Sequence, residues 1–334
     1  MMLPEQHIAA ETDRLFKKLE NLSWTRTDCQ LYAPLTLEIN QLKKEQDAII
    51  LAHSYQTPDI VYGVADFVGD SYGLAQIAAE HPARKIIFCS VLFMGETAKI
   101  LSPDKEVLVP SRAGCSLADS ITAEDVRGLK KKHPGVPVVC YVNTSAEVKA
   151  ESDVCCTSSN VVQIVEALPG EEVIFIPDKY MGDYLRRMTK KNVITWPGVC
   201  IVHEEFTSDA VKAVREQYPG VKILVHPECT SSVIDLADYV GSTSQMLKYV
   251  GDSTDVSPVM IVSECGLADR VKAEHPERQV VGACALCPYM KQIALKDVQV
   301  ALKNPRPEQR VEINPAVLKK AKMSLDRMFE LTRK

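Results

Sequence analysis

Short apolar runs recur along the chain at a nearly constant interval. Three of them end in an aromatic or imidazole ring, and these are Ile49–His53, Val138–Tyr141 and Ile223–His226. Their last residues are 88 and 85 positions apart. Another three, whose first residues are each 87 positions apart, are Ile86–Cys89, Val173–Ile176 and Met260–Ser263. A fixed period of this length indicates an internal repeat of one supersecondary unit.

The repeats divide the chain into three copies of one unit, with a helical segment on either side. In each copy the pattern predicts strand, short helix, polar turn, helix, strand, helix and strand. Strands that alternate with helices favour parallel sheets in α/β units. The predicted divisions are residues 1–46 (N-terminal helical segment), 47–134, 135–220 and 221–300 (the three repeats) and 301–334 (C-terminal helical segment). Helices are predicted in the flanking segments over Ala9–Leu22, Leu35–Lys44 and Pro315–Arg333.

Each copy contains a turn in which an Asp and an apolar pair precede a hydroxyl side chain. The closing hydroxyls belong to Ser71, Ser158 and Thr243, which are 87 and 85 positions apart. Each precedes a helical stretch, as an N-cap residue does. Helix N-termini present free N–H groups and the positive end of the helix dipole. If the three copies face one centre, these turns predict a site for a phosphate or carboxylate group.

Polar side chains also stand at the end of the first strand of each copy. Parallel sheets place functional groups at the carboxyl ends of their strands, so His53, Tyr141 and His226 are predicted to face the same centre. Glu228 follows His226 by two positions, and a carboxylate beside an imidazole can transfer protons. Two further side chains near these strand ends are predicted to hydrogen bond a ligand, namely Tyr55 and Asn143.

Three cysteines keep the period of the repeat. Cys200 is 85 positions after Cys115 and 87 positions before Cys287. Each follows a β-like run by a few residues, and the runs are Glu106–Val109, Asn192–Thr195 and Gln279–Val281. Burial explains equivalent apolar residues in a repeat, but it does not favour three thiols in equivalent loops. The pattern therefore predicts that the three thiols bind one metal centre.

The number of thiols indicates the kind of centre. Structural zinc has four ligands, commonly in local Cys-x-x-Cys pairs, whereas thiolates from distant segments are typical of iron–sulfur clusters. A [4Fe–4S] cluster with three cysteine ligands keeps one iron open to substrate, where it acts as a Lewis acid. Zinc with water in the fourth position is the alternative. His203, three positions after Cys200, is predicted to neighbour this metal ligand.

The other cysteines are interpreted differently. The pair Cys284-x-x-Cys287 allows a redox disulfide that competes with the metal centre. The remaining thiols are predicted to be small buried core residues, and they are Cys29, Cys89, Cys140, Cys155, Cys156, Cys229 and Cys265. Eleven cysteines in 334 residues are too few for a secreted disulfide scaffold. A reducing cytoplasm is therefore the expected location.

Bulk composition excludes several classes of partner. The net charge of −5 gives no basic face for nucleic acid or an anionic membrane. No apolar run approaches the roughly 20 residues that a membrane-spanning helix needs, and the first residues lack the features of a signal peptide. With 46% hydrophobic and 25% charged residues, the composition is that of an ordinary globular protein.

Several motifs resemble those of the quinolinate synthase family, and the resemblance extends from about Ile49 to Met290. The motifs that carry it are Ala52–Gln56, Asp66–Ser71, Phe93–Pro103, Tyr141–Lys149, Pro177–Lys179, Trp196–His203, His226–Glu228, Gly241–Ser244 and Cys287–Met290. Some relatives have Cys-x-x-Cys-x-x-Cys before the proline, and Val281 occupies the first of these places here. That difference leaves Cys284 and Cys287 as the only local pair.

The resemblance implies an α/β fold of three pseudo-threefold-related αβα sandwich domains, whose short parallel sheets surround a central active site. It implies a [4Fe–4S] cluster held by Cys115, Cys200 and Cys287, with one open iron. It also implies the condensation of iminoaspartate with dihydroxyacetone phosphate to quinolinate, with loss of phosphate and water, in de novo NAD biosynthesis. The upstream aspartate oxidase or dehydrogenase is then a candidate partner.

The same resemblance assigns roles to individual residues. Tyr55 and Glu228 are the expected proton-transfer residues, with His226 and Tyr141 as further catalytic residues. The expected substrate contacts are His53, Ser71, Tyr141, Asn143, Ser158, His226, Glu228 and Thr243. Two other functions stay open from the residues alone. One is an iron–sulfur hydro-lyase for a small hydroxy-dicarboxylate, and the other is a cluster-based iron or redox sensor.

Overall fold

The structure, a computed structural model, describes residues 4–333. Its strands are β1 (Ala48–His53), β2 (Phe67–Gly69), β3 (Lys85–Cys89), β4 (Glu106–Leu108), β5 (Val138–Tyr141), β6 (Val154–Cys156), β7 (Glu172–Ile176), β8 (Asn192–Thr195), β9 (Lys222–Val225), β10 (Tyr239–Val240) and β11 (Val259–Val262). They form three separate parallel sheets with the orders β2-β1-β3-β4, β6-β5-β7-β8 and β10-β9-β11. The shared order confirms the predicted α/β class with short parallel sheets.

Helices connect the strands and flank the sheets. They are α1 (Glu5–Leu19), α2 (Arg26–Glu45), α3 (Pro58–Gly63), α4 (Ser71–Glu80), α5 (Leu92–Leu101), α6 (Ala123–Lys132), α7 (Ala146–Ala150), α8 (Val161–Ala167), α9 (Lys179–Met188), α10 (Ser208–Gln217), α11 (Ser231–Ile234), α12 (Thr243–Asp252), α13 (Cys265–Glu274), α14 (Leu295–Lys303) and α15 (Pro315–Thr332). In the described part of the chain, none has both the length and the apolar composition needed to cross a bilayer.

The strands are apolar because helices cover both faces of each sheet. In β1, Ile49 and Leu51 pack into one core cluster, whereas Ile50 and Ala52 pack into another on the opposite face. Successive residues of a strand point to opposite faces, so a strand buried on both sides reads as an unbroken apolar run. This two-sided burial leaves only the strand ends free to carry polar chemistry.

The terminal segments pack on the repeats, as predicted. Helices α1 and α2 contact each other, and α2 also contacts β1 and α14. Helix α15 lies against α7, α8 and β6 of the second unit. It begins at Pro315 after the Asn314 cap, whose side chain accepts a hydrogen bond from Ala316 N at 2.9 Å. The limits of the three units, 47–134, 135–220 and 221–300, stay predictions.

Some local predictions were wrong. The run Gln279–Val281 is not a strand, because it makes only an isolated bridge between Val280 and Val259, and the third sheet accordingly has three strands. The hydroxyl residues Ser71, Ser158 and Thr243 are not N-caps. The caps are Asp70 for α4, Asn160 for α8 and Ser242 for α12. Ser71 and Thr243 are instead the first helical residues.

Candidate active site

One cavity lies where the carboxyl ends of strands from all three sheets meet. His53 ends β1, Tyr141 ends β5, and His226 follows β9. Every residue predicted to bind substrate or metal lines this cavity, and these residues are His53, Tyr55, Ser71, Cys115, Tyr141, Asn143, Ser158, Cys200, His226, Glu228, Thr243 and Cys287. The roles assigned to them stay predictions, but the structure brings all of them together.

The three cysteine loops are held in the same way in each unit. In each, the first backbone N–H of a helix donates to the carbonyl two residues before the cysteine. The three bonds are Leu92 N to Ala113 O (2.9 Å), Lys179 N to Gly198 O (2.8 Å) and Cys265 N to Ala285 O (3.0 Å). Because these helices follow equivalent strands, the repeated bond directs Cys115, Cys200 and Cys287 to one cavity.

Each of these cysteines precedes a short 3-10 turn whose N–H groups approach its sulfur. Burial raises the pKa of Cys115 to about 12, while hydrogen bonds from the Ala118 and Leu117 backbone act in the opposite direction. Burial also raises the pKa of Cys200 and Cys287, and the backbone of His203 and of Met290 and Tyr289 opposes it. A bound metal cation would stabilise the thiolate form of these three half-buried cysteines.

This donor set fits an iron–sulfur cluster. None of the three cysteines is in a disulfide, all three border the same cavity, and backbone N–H groups are directed at their sulfurs. Cys200, His203 and Glu228 also have ligand atoms within 4.8 Å of one another, a grouping that suits zinc. A zinc ion at that position would use Cys200 but leave Cys115 and Cys287 without a role. An iron–sulfur cluster accounts for all three cysteines.

Glu228 is the centre of a buried hydrogen-bond network. The Tyr141 hydroxyl donates to Glu228 Oε1 at 2.5 Å, and His203 Nδ1 lies 2.8 Å from Glu228 Oε2. Burial opposes ionisation of this carboxyl group, but the attraction of His203 and His226 and the hydrogen bonds from His203 and Tyr141 hold its pKa below the usual range. Glu228 is thus an ionised carboxylate that can accept a proton.

The network continues from His203 to Tyr55. His203 Nε2 lies 3.2 Å from Ser263 Oγ, and Ser263 Oγ lies 2.7 Å from the Tyr55 hydroxyl. His203 Nδ1 is also 3.2 Å from Cys200 Sγ, which places this imidazole beside the proposed metal ligand, as its spacing predicts. The two phenols and the carboxylate are therefore joined through His203 and Ser263.

Four rings of the cavity, those of His53, His226, Tyr55 and Tyr141, are neutral near pH 7. Burial lowers the pKa of His53 to about 4 and that of His226 to about 3. Burial raises the pKa of Tyr55 and of Tyr141, and the nearby Glu228 charge raises both further. These phenols are hydrogen-bond donors, whereas the imidazoles can both donate and accept.

The cavity also offers uncharged polar atoms to a ligand. Ser71 and Thr243 lie in the first turns of α4 and α12, and Ser158 lies just before α8. Asn143 Oδ1 and Thr243 Oγ1 are buried without a hydrogen-bond partner among the described residues. Buried polar atoms are nearly always paired, so these two indicate a bound polar group. None of the lining residues is Lys or Arg.

Sequence reasoning missed Ser263. It ends the run Met260–Ser263, which matches the repeat positions of Cys89 and Ile176. The carboxyl end of a parallel strand was the available signal, because the same rule had selected His53 and His226. Applied to the strand that ends at Val262 in the last unit, the same rule selects Ser263.

The prediction for Cys265 was wrong, and Cys284 pairs differently from the hypothesis. Cys265 forms a disulfide with Cys284, so it is not a simple buried thiol. The hypothetical Cys284–Cys287 bond is absent, and Cys287 has a free thiol. The first residue of α13 is thereby linked to the loop that carries Cys287.

Comparison with known proteins finds similar sequences over most of the chain. Residues 37–330 match the family described as "NadA: Quinolinate synthetase A protein". The chain is 47% identical over 325 residues to a quinolinate synthase of Sinorhizobium fredii, covering 97% of this chain and 89% of that protein. It is 45% identical over 329 residues to one of Caulobacter vibrioides, with coverage of 97% and 89%. Quinolinate synthase 2 of Mesorhizobium japonicum is 48% identical over 292 residues, covering 87% of this chain and 89% of that protein.

Proposed function

Because the chain belongs to the quinolinate synthase family, we propose that it condenses iminoaspartate with dihydroxyacetone phosphate. The products are quinolinate, phosphate and water, and the reaction serves de novo NAD biosynthesis. We assign it to the cytoplasm, with the enzyme that supplies iminoaspartate, an aspartate oxidase or dehydrogenase, as a candidate partner.

The observation that supports the proposal most is the meeting of three thiols from three equivalent loops in one cavity. Cys115, Cys200 and Cys287 would hold a [4Fe–4S] cluster through their sulfurs and leave one iron without a protein ligand. When bound, the cluster supplies a Lewis acid for removing water from the joined substrates. Proton transfer and substrate placement are left to the side chains of the chain itself.

The polar side of the cavity suits two anionic substrates. Ser71 and Thr243 carry hydroxyls at the first turns of two ten-residue helices, whose free N–H groups favour phosphate or carboxylate. Asn143, Ser158 and His53 add uncharged hydrogen-bonding groups. Because no Lys or Arg among the described residues lines the cavity, the phosphate can depart without breaking a tight ion pair.

The proton-transfer residues are Tyr55 and Glu228, assisted by Tyr141 and His226. Glu228 is ionised and accepts the Tyr141 hydroxyl proton in a hydrogen bond, so it can take a proton from a substrate carbon or nitrogen. Tyr55 is a neutral phenol and can donate a proton to a departing oxygen. His226 stacks on His203 with ring centroids 4.6 Å apart and lines the cavity beside Glu228.

An anaerobic assay tests this proposal. Protein purified without oxygen and supplied with both substrates should form quinolinate and release inorganic phosphate, and it should contain about four irons per chain. Phosphate release separates the synthase from an iron–sulfur hydro-lyase, which acts on a substrate without phosphate. Colourless protein that carries zinc and makes no quinolinate would refute the proposal.

A further inference from the structure

The Cys287 loop has a contact that the other two cysteine loops lack. Glu264 is fully buried and caps helix α13, with Oε2 accepting a hydrogen bond from Gly266 N at 2.6 Å. Its other oxygen, Oε1, accepts a hydrogen bond from the backbone N–H of Cys287 at 3.2 Å. One carboxylate therefore joins the start of a helix to the backbone of a proposed cluster ligand.

The same oxygen has a cationic partner. Lys291 Nζ lies 3.0 Å from Glu264 Oε1 and donates to the backbone carbonyl of Tyr55 at 2.5 Å. A Cβ on Gly266 would lie 2.7 Å from Ser54 O and 2.8 Å from Tyr55 Cα. The first turn of α13 thus lies directly on the Tyr55 backbone, and Lys291 joins Glu264 of the predicted third unit to the Tyr55 carbonyl of the first.

Equivalent positions in the other units show that capping alone does not require a glutamate. The caps of α5, α9 and α13 are Val91, Asp178 and Glu264. Asp178 caps its helix through Met181 N at 2.9 Å, and its second oxygen has no hydrogen-bond partner among the described residues. The extra methylene of Glu264 is what lets its second oxygen reach Cys287.

We propose that Glu264 and Lys291 are positioning residues that fix the Cys287 loop and the Tyr55 segment relative to each other. The inference rests on the proposed function, in which Cys287 binds the cluster and Tyr55 transfers a proton. Neither Glu264 nor Lys291 lines the cavity, so they act through the residues they hold. A buried carboxylate paired with one lysine and two N–H groups is rigid, because losing any partner leaves a buried charge less compensated.

Glu264→Asp is the most direct test, because aspartate keeps the charge and the helix cap but is too short to reach Cys287 N. At a temperature well below unfolding, we expect about tenfold faster iron release from anaerobic holoprotein to a ferrous chelator. The assay contains excess dithiothreitol, so that the Cys265–Cys284 disulfide does not hold the same loop. Release at the wild-type rate would overturn the proposal.

A second measurement needs no cluster. In cluster-free full-length protein, iodoacetamide labelling followed by mass spectrometry gives the alkylation rate of each thiol. Glu264→Asp should raise the rate at Cys287 about fivefold and leave Cys115 unchanged. Equal acceleration at both thiols would mean general loosening and would contradict a local positioning role.

Asp66→Asn is the matched control. Asp66 also accepts a backbone hydrogen bond, from Ile50 N at 2.9 Å, and also pairs with a lysine, Lys43, at 2.8 Å, but neither partner belongs to a cysteine loop or contacts Tyr55 through these bonds. This variant should lower the melting temperature without changing iron release or Cys287 alkylation. If Asp66→Asn changes the iron-release rate or the Cys287 alkylation rate, loss of any such ion pair produces the result expected for Glu264→Asp, and the positioning role is contradicted.

The pair itself is tested by a double-mutant cycle with Lys291→Met. If Glu264 and Lys291 act together, the double variant Glu264→Asp/Lys291→Met should release iron no faster than the faster single variant. If the double variant instead accelerates iron release by the product of the two single effects, Glu264 and Lys291 act independently. That result would overturn the paired arrangement. Failure of the proposed function looks different, since wild-type protein would then contain no cluster and form no quinolinate.

Discussion

The Tyr141 hydroxyl donates a hydrogen bond to Glu228 Oε1 over 2.5 Å, although the two residues are 87 positions apart in the chain. They come from different sheets, since Tyr141 ends β5 and Glu228 follows β9. A contact of this kind forms only if two of the repeated units direct the carboxyl ends of their first strands to one centre. It therefore links the repeat in the sequence to the proposed proton acceptor.

Glu228→Gln should abolish most of the turnover and leave the cluster bound. Glutamine is nearly isosteric with glutamate but cannot accept a proton at neutral pH, and general acid–base groups contribute on the order of 10²- to 10⁴-fold to rate. The measurements are kcat for quinolinate formation and iron content. Glu204→Gln, at an exposed site that bonds Tyr180, is the control and should retain activity. Wild-type kcat in Glu228→Gln would exclude Glu228 as the base.

Replacing Cys115, Cys200 or Cys287 singly by alanine should remove the cluster. Each is one of only three protein ligands in the proposed site, so its loss leaves a second iron without protein coordination. Iron and sulfide analysis and the visible absorbance of anaerobic protein measure the outcome. Cys89→Ala is the control, because Cys89 is buried in the core and away from the cavity. A variant lacking one of the three thiols but retaining full iron would disprove that ligand assignment.

The sequence predicted the repeat and the convergence at the cavity because both depend on local patterns. Cys115, Cys200 and Cys287 could be found from spacing alone, and His53 and His226 from their place at strand ends. Cap identity was predicted less well, since Ser71 and Asp70 are adjacent and either can cap a helix. Only the hydrogen bond that Gly73 N donates to the Asp70 side chain decides between them.

Tertiary contacts between distant segments could not be derived from the pattern. Nothing in the spacing of Cys265 and Cys284 indicates that the start of α13 lies beside the Cys287 loop. The bond between Tyr55 and Ser263 likewise joins residues 208 positions apart. The first contact lies within the third unit and the second joins the third unit to the first, and the period along the chain determines neither of these individual pairings.

Ser263→Ala should lower kcat about tenfold without affecting cluster content. The Ser263 hydroxyl lies between Tyr55 and His203, so removing it leaves the buried Tyr55 phenol without its hydrogen-bond partner. Steady-state kinetics should show a change in kcat larger than the change in KM. Ser263→Thr keeps a hydroxyl and should restore much of the activity. If the alanine variant matches the wild type, Tyr55 does not depend on Ser263.

Reduction of the Cys265–Cys284 disulfide should destabilise the protein. The bond closes a loop with a sequence separation of 19, for which the loss of chain entropy in the unfolded state corresponds to about 3 kcal/mol. Thermal unfolding of wild-type protein should therefore shift to lower temperature in dithiothreitol, whereas Cys265→Ser should show no further shift. Before reduction, denatured wild-type protein should have nine free thiols and Cys265→Ser ten. Eleven free thiols in the wild type would show that the disulfide does not form.

Acid should destabilise the fold through His53 and His226. Both are buried, and their pKa values in the folded protein, about 4 and about 3, lie below the value of about 6.5 expected for an unfolded chain. Between these limits the unfolded state binds more protons, so the free energy of unfolding falls as the pH drops. The stability is complete above about pH 6.5 and is lost progressively on acidification towards pH 4 and then pH 3.

Each histidine contributes a slope of up to about 1.4 kcal/mol per pH unit, which His226→Gln should remove in urea unfolding between pH 4 and 6. Exposed His7→Gln should leave the slope unchanged. A slope in His226→Gln equal to that of the wild type would mean that this imidazole is already protonated in the folded protein, and Glu228 would then face a cation instead of a neutral ring.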